Sequence, residues 1–228
     1  MHQTAMNNCK SFFDTYSKAF EPKPKTTVVE IGSQDVNGSL RQVCPSSFEY
    51  IGVDFQKAKG VDIVLDDPYA LPFESETIDI VISSSCFEHS EMFWLVFLEI
   101  LRVLKPTGLF YLNAPSAGPF HRYPVDCWRF YPDSGKALVT WARRNGVNAD
   151  VLESFTQRGG EWQDFISVFL KDAAHASAFP GRILDTKIDY ENGQILGGDK
   201  LLNLNNSSQN DKKLLGISQI LSGKIVIK

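Results

Sequence analysis

Acids placed at the ends of apolar runs, and two histidines in polar loops, are the residues of this sequence best suited to chemistry. Glu30, Asp54 and the pair Asp66 and Asp67 each close a short apolar stretch. Glu30 opens at once into the loop of TTVVEIGSQDVNG, which carries Gly32 and Gly38. A carboxylate accepts both hydroxyl protons of a ribose diol, and Asp54 stands where such an acid is needed, at the end of the second run. His89 follows Glu88, and His121 opens HRYPVDCWRFYP. Either imidazole could take a proton from an acceptor near neutral pH. The same segment holds Tyr123, Asp126, Trp128 and Arg129, aromatic faces and polar groups able to orient a sugar or another polar ring. The competing reading pairs Asp126 with Arg129 and packs Trp128 on the core, which makes the segment a rigid plug. No group of His, Cys or Asp has metal-ligand spacing, so no metal is expected. Trp162 reads as packing at a strand entry, Glu99 with Arg102 as a solvated or helix-capping pair, and His2 and His175 have no partner in sequence.

A ribose diol belongs to NAD and to S-adenosylmethionine (SAM) alike, and two features separate them. A pyrophosphate needs GxGxxG leading into a helix. Here Gln34 stands where a second glycine would be, with Asp35 beside it. An acid there opposes a pyrophosphate and suits the cationic sulfonium and amino group of SAM. The acid after the third run can accept from an adenine amino group.

The elements that must position these residues alternate. Strands are predicted at Thr26–Ile31, Phe48–Phe55, Val61–Leu65, Asp79–Ser83, Gly108–Ala114, Val151–Phe155 and Asp164–Lys171. Brief, β-branched, mostly apolar runs suit strands covered on both faces, hence a parallel or mostly parallel sheet. Helices are predicted at Asn7–Phe20, ended by Pro22 and Pro24, at Ser90–Lys105 with Ser90 as N-cap and Pro106 beyond, and at Pro132–Asn145 closed by Gly146. In a sheet of this kind each strand end reaches one edge, where ligands collect.

At 228 residues, 43% hydrophobic and 22% charged, the composition is that of a globular protein with one well-filled core or a core and an appendage. A net charge of −4 argues against a nucleic-acid partner. The amino terminus has no apolar core of signal-peptide length, nowhere are there about 18 apolar residues in succession, and Cys9, Cys44, Cys86 and Cys127 show no pairing pattern, so a cytoplasmic protein with reduced thiols is expected. After Lys171 the character changes, with the polar run NLNNSSQN and an Asn192-Gly193 pair that signals a hairpin. The expected division is 1–171 as the main domain and 172–228 as an appendage, a docked hairpin or partly disordered.

VVEIGSQDVNG, YIGVD, LDDPYALPFESETIDIVISSSCFEHS and EILRVLKPTGLFYLNAPS, in this order, resemble the class I SAM-dependent methyltransferases of the small-molecule or glycan type. The resemblance covers about 26–171. It implies a Rossmann-like, seven-stranded, mostly parallel α/β sheet with helices on both faces and an antiparallel last core strand, DFISVFLK. By resemblance Glu30, Gly32, Ser33 and the loop to Gly38 would hold the methionine part of SAM. Asp54 would take the ribose, Asp67 the adenine, and Ser84 or Ser85 would lie under the cofactor. Gln34 replaces the second loop glycine, and Thr107 the first glycine of the usual KPGG turn. The implied reaction moves a methyl group to an oxygen or nitrogen of a small polar acceptor, with His121 and His89 as candidate bases. HxYPxDxWRFxP is similar to methyltransferases encoded with surface-glycan enzymes, which points to a sugar or related molecule. No membrane partner is implied, and a homo-oligomer is left open. Two other readings stay open: a SAM-binding module without catalysis, and a NAD-dependent oxidoreductase.

Overall fold

The computed structural model describes residues 2–21, 25–207 and 209–225. One eight-stranded sheet runs in the order β3-β2-β1-β4-β5-β7-β6-β8. Its strands are β1 (Thr27–Ile31), β2 (Glu49–Asp54), β3 (Ile63–Val64), β4 (Ile78–Ser84), β5 (Leu104–Ala114), β6 (Asp150–Gln157), β7 (Phe165–Leu170) and β8 (Tyr190–Ile195). Strands β3, β2, β1, β4 and β5 pair in parallel, while β7 is antiparallel to both β5 and β6. The expected antiparallel DFISVFLK strand is thus present, wedged between two strands of the opposite direction.

Side chains alternate across the sheet and build a core on each face. Val29 and Ile31 pack with α2 (Phe93–Val103) and α3 (Ser134–Arg144), through Val96, Phe97, Ile100, Leu138 and Ala142. Val28 faces the other way, onto Phe12, Phe13 and Tyr16 of α1 (Gln3–Tyr16). The aromatic spacing in α1 is core packing. The helix begins a turn earlier than that spacing indicates because Ala5 is buried too, and a 3-10 turn, Ser17–Ala19, follows. Pro22 and Pro24, the expected stop, lie outside the described residues.

Two helix ends differ from expectation. Helix α2 starts at Phe93 with Met92 at its N-cap, because Ser90 is extended after a 3-10 turn at Phe87–His89. It ends at Val103 and the chain passes directly into β5, so Pro106 lies in the strand. Proline is tolerated there because pairing with β4 slips between Ile78 and Ile80, opposite that stretch. Glu99 and Arg102 are more than a solvated pair: they hold the chain at 71–73 onto α2, Glu99 accepting from Leu71 N at 3.0 Å and Arg102 donating to the carbonyls of Leu71 and Phe73.

The eighth strand, one more than expected, comes from the C-terminal segment. Strand β8 pairs antiparallel with β6 and covers an edge that would otherwise be open. Phe179, Ile183, Leu184 and Tyr190 are buried with the α1 aromatics. A wholly buried carboxylate fixes this junction: Glu153 accepts from Tyr16 Oη at 2.5 Å, from Ile183 N at 2.7 Å and from Leu184 N at 3.0 Å. The Asn192-Gly193 pair is not the hairpin turn. Asn192, at φ 53°, lies within β8, opposite a register slip in β6, and its amide bonds both N and O of Asn205. The chain reverses instead at Gly197 and Gly198 and returns to pair Leu202 with Gly193. Helix α4 (Gln209–Leu221) follows, with Leu214, Leu215 and Leu221 exposed. Among the described residues no helix is long and apolar enough to cross a membrane.

Candidate functional site

Strand order reverses between β1 and β4, so the loops leaving these two strands part and leave a crevice at their carboxyl ends. A cleft of about 280 Å³ lies there, lined by Gly32, Asp54, Phe55, Leu65, Pro68, Tyr69, Cys86, Phe87, His89 and Val96 among others. Gly32 has φ +80°, and a Cβ on it would stand 2.6 Å from Cys86 Cβ, so only glycine lets the two loops meet this closely. The Cys86 thiol is pushed up to about 12 by burial and acts as packing rather than as a nucleophile.

Asp54 is buried at the cleft wall, where its Oδ1 accepts from Gln34 Nε2 at 3.0 Å and from Gln56 N at 3.1 Å. Gln34 Oε1 in turn accepts from Tyr123 Oη at 3.1 Å. Asp35 folds the rest of the loop by accepting from Gly38 N at 2.9 Å and pairing with Lys59 at 2.6 Å. The loop leads into a 3-10 turn of three residues, Leu40–Gln42. Among the described residues no α-helix N-terminus stands here for a pyrophosphate, which removes the structural basis of a dinucleotide site.

A second recess, more polar and of about 290 Å³, is lined by His2, Asn37, Ser85, Glu88, Pro115, His121, Trp162 and Asp164. The segment from Ser85 to His89 separates the two spaces: Cys86, Phe87 and His89 line the first, Ser85 and Glu88 the second. The His89 and His121 rings meet edge to face with centroids 4.8 Å apart, and Trp162 lies 4.6 Å from His121 on its other side. His89 Nδ1 is 2.5 Å from the carbonyl O of Val125, an atom that can only accept, so Nδ1 carries the ring proton. Burial holds the His89 pKa below the ordinary histidine value, which keeps the ring neutral at pH 7. Glu88 is buried, its Oε2 has no hydrogen-bond partner, and burial pushes its carboxyl up to about 8.

The loop 121–131 is held by an internal ion pair. Asp126 accepts from Arg129 at 2.6 and 2.9 Å and from the backbone N of His121 at 2.7 Å. Arg129 is the main reason its carboxyl is held well below the usual carboxylate range. Trp128 packs edge-on against Phe93 and Trp94 and donates from Nε1 to Ser90 O at 2.9 Å. Tyr123 is half exposed and reaches over to Gln34.

The remaining sequence candidates flank the cleft. Glu30 points to the α1 face, where Tyr50 Oη donates to it at 2.5 Å. Ser33 and Ser84 are buried, each with an Oγ that has no protein partner. Asp67 is exposed and accepts from Tyr69 N at 2.8 Å, which shapes the turn that presents Pro68 and Tyr69. Phe55, Tyr69, Glu88 and Asp164 line the site although none was a candidate in the sequence, and so does Trp162, which read there as packing at a strand entry. Only position could have revealed the first, since Phe55 directly follows a strand-end acid.

A methyltransferase domain family model matches residues 37–112. An uncharacterized methyltransferase of Mycobacterium marinum is 36% identical over 78 residues, 34% of this chain and 30% of that protein. One from Mycobacterium tuberculosis is 35% identical over a stretch of the same length. The chain thus spans less than a third of the length of these relatives. In fold it is similar to the Burkholderia thailandensis 1,6-didemethyltoxoflavin-N1-methyltransferase solved with its acceptor and S-adenosylhomocysteine (TM-score 0.53, 14% identity, 74% of this chain and 78% of that one). It is also similar to a SAM-dependent methyltransferase from Archaeoglobus fulgidus (TM-score 0.53, 17% identity, 72% and 93%).

Proposed function

We infer that this chain belongs to the class I SAM-dependent methyltransferases and that it transfers a methyl group to an oxygen or nitrogen of a small polar acceptor. The observation that carries the reading is the pair of recesses that meet across 85–89, one apolar with a buried aspartate at a strand end, the other polar. The donor set fits SAM. Asp54 would take the ribose diol, while Phe55, Leu65, Pro68 and Tyr69 offer apolar surface for the adenine, with Asp67 at its rim. Gly32, Ser33, the loop to Gly38 and Ser84 would surround the methionine part, with Glu30 behind them and Ser85 facing the acceptor. The unpartnered hydroxyls of Ser33 and Ser84 are the kind of buried atoms that a polar ligand satisfies.

Bound SAM would supply an electrophilic methyl group on a cationic sulfur. The protein's part is then to hold the acceptor atom in line and close, within about 3 to 3.5 Å. From the loop 121–131, His121 lines the polar recess and Pro124 and Val125 the apolar one; Tyr123, Asp126, Trp128 and Arg129 of the same loop would serve a sugar or glycan precursor, with His89 and His121 as candidates to accept its proton. A cytoplasmic location, with 1–171 as the catalytic domain and 172–228 as an appendage that completes the sheet, belongs to the same reading.

Calorimetric titration of the purified chain with SAM and with S-adenosylhomocysteine tests it. Both should bind in the micromolar range, and Asp54→Ala should weaken both at least tenfold while the protein stays folded. Equal binding by the variant would contradict the cofactor assignment.

A further inference from the structure

We propose that Glu88, His89 and His121 form a binding site for a divalent first-row transition-metal ion at the junction of the two recesses. One ligand atom from each residue lies within 4.8 Å of the other two. Metal–ligand distances of about 2.0 to 2.2 Å place donors about 3 to 4 Å apart, so about 1 to 2 Å of closure assembles the set. His89 Nε2 is already 3.8 Å from Glu88 Oε1.

The surroundings match what such ions need. Each imidazole has its Nδ1 next to a protein acceptor, His89 at Val125 O and His121 at Pro119 O (3.3 Å) with Asp126 Oδ2 3.4 Å away. That leaves Nε2 as the free lone pair of each ring, and gives His121 the carboxylate behind it that commonly orients a metal-bound histidine. Arg129 fixes that carboxylate in turn. Glu88 is 1% exposed, yet its Oε2 has no protein partner, a buried polar atom that a ligand would satisfy, the metal ion taking the place of the carboxyl proton. Two imidazoles and one carboxylate suit zinc, cobalt, iron or manganese better than calcium or magnesium. The three residues come from the loop after β4 and the loop after β5, which is why their spacing along the chain shows no ligand pattern.

The ion's role rests on the methyltransferase reading, since it would bind the acceptor's oxygen beside Ser85 and lower its pKa. The Nε2 atoms would then hold the ion instead of accepting the proton, which would leave to solvent. The binding itself does not depend on that reading.

The test uses the tag-free 228-residue chain stripped with a chelator and titrated with Co²⁺ alone and with Zn²⁺ alone, by calorimetry and, for Co²⁺, by visible absorption. Binding at a single site is expected, with a Co²⁺ spectrum showing nitrogen and oxygen ligands and no thiolate charge-transfer band. Glu88→Gln and His121→Ala should each weaken binding by about 100-fold or more, with thermal melts confirming the fold. His121 is at the surface, so its replacement keeps the test usable if Glu88→Gln unfolds. Absent binding by the wild type, or binding unchanged in His121→Ala, overturns the site. SAM titrated into the same stripped protein separates the two claims: SAM binding without metal binding sinks only the metal site, and the reverse sinks only the cofactor reading.

Discussion

Replacing Glu30 by glutamine should make the protein more stable at pH 8 and remove much of its loss of stability above pH 5. Glu30 lies under Tyr50 on the α1 face, and burial, only partly offset by the Tyr50 hydroxyl, raises its carboxyl from the ordinary 4.5 to about 7. At 1.36 kcal/mol per pH unit that rise makes the folded chain's carboxylate costlier to ionise by about 3 kcal/mol. The folded state therefore keeps a proton that the unfolded state has released. Stability is undiminished below pH 4.5, falls as the pH rises toward 7, and is flat beyond. The amide introduced by Glu30→Gln cannot ionise but still offers Tyr50 an acceptor, so it loses at most about 1 kcal/mol of hydrogen bonding. The net gain at pH 8 is about 2 kcal/mol, or about 4 to 8 °C in Tm for a chain of this size. Urea unfolding of both proteins at pH 5 and pH 8 gives the comparison, and other buried acids cancel in the difference. Parallel pH profiles for the two proteins would refute the reasoning, because they would mean that Glu30 ionises as freely in the fold as out of it.

Other substitutions probe the frame of the site. Glu153→Ala leaves the hydroxyl of Tyr16 and the amides of Ile183 and Leu184 unpaired. It should cost about 3 kcal/mol or more, and limited proteolysis should open 173–189 first; an unchanged urea midpoint would remove Glu153 as the anchor of that segment. Gly32→Ala meets both a left-handed backbone and Cys86 at 2.6 Å, so about 2 to 4 kcal/mol should be lost together with SAM binding. Gly146→Ala has a similar φ, +81°, but open space around it, and should cost about 1 kcal/mol; equal losses for the two would show that strain alone, without loop contact, sets the effect.

Much of the fold was legible because its strands are read by local pattern. TTVVEIG and IDIVISS are rich in β-branched residues, and β1 and β4 run side by side through the middle of the sheet, almost wholly buried. The strand ends named the cleft edge, and Asp54 and Gly32 do line it. What stayed hidden depends on contacts between distant segments. The Asn192-Gly193 pair has the composition of a hairpin turn, yet Asn205 captures the Asn192 side chain and the pair becomes a bulge within β8. Glu88 stood out in the sequence only as the neighbour of His89. Its burial arises only when the chain at 127–128 folds over it, the amides of Cys127 and Trp128 donating to its carbonyl. Trp162 looked like strand-entry packing, yet its ring forms the far wall of His121.

Gln34 shows how a departure from a familiar pattern acquires a physical meaning once the loops are placed. A glycine there would leave Asp54 Oδ1 with only the amide of Gln56 and would leave the Tyr123 hydroxyl unattached. Gln34 instead donates to Asp54 at the end of β2 and accepts from Tyr123 of the loop after β5. A ligand that draws Asp54 toward a ribose must therefore share that carboxylate with Gln34, and any movement of the amide is felt at Tyr123. The longer turn built by Asp35 and Lys59 makes room for this side chain without a second glycine. Gln34 thus ties Asp54, on the wall of the apolar cleft, to Tyr123 in the loop that carries His121, a link across the chain that a glycine at position 34 would not make.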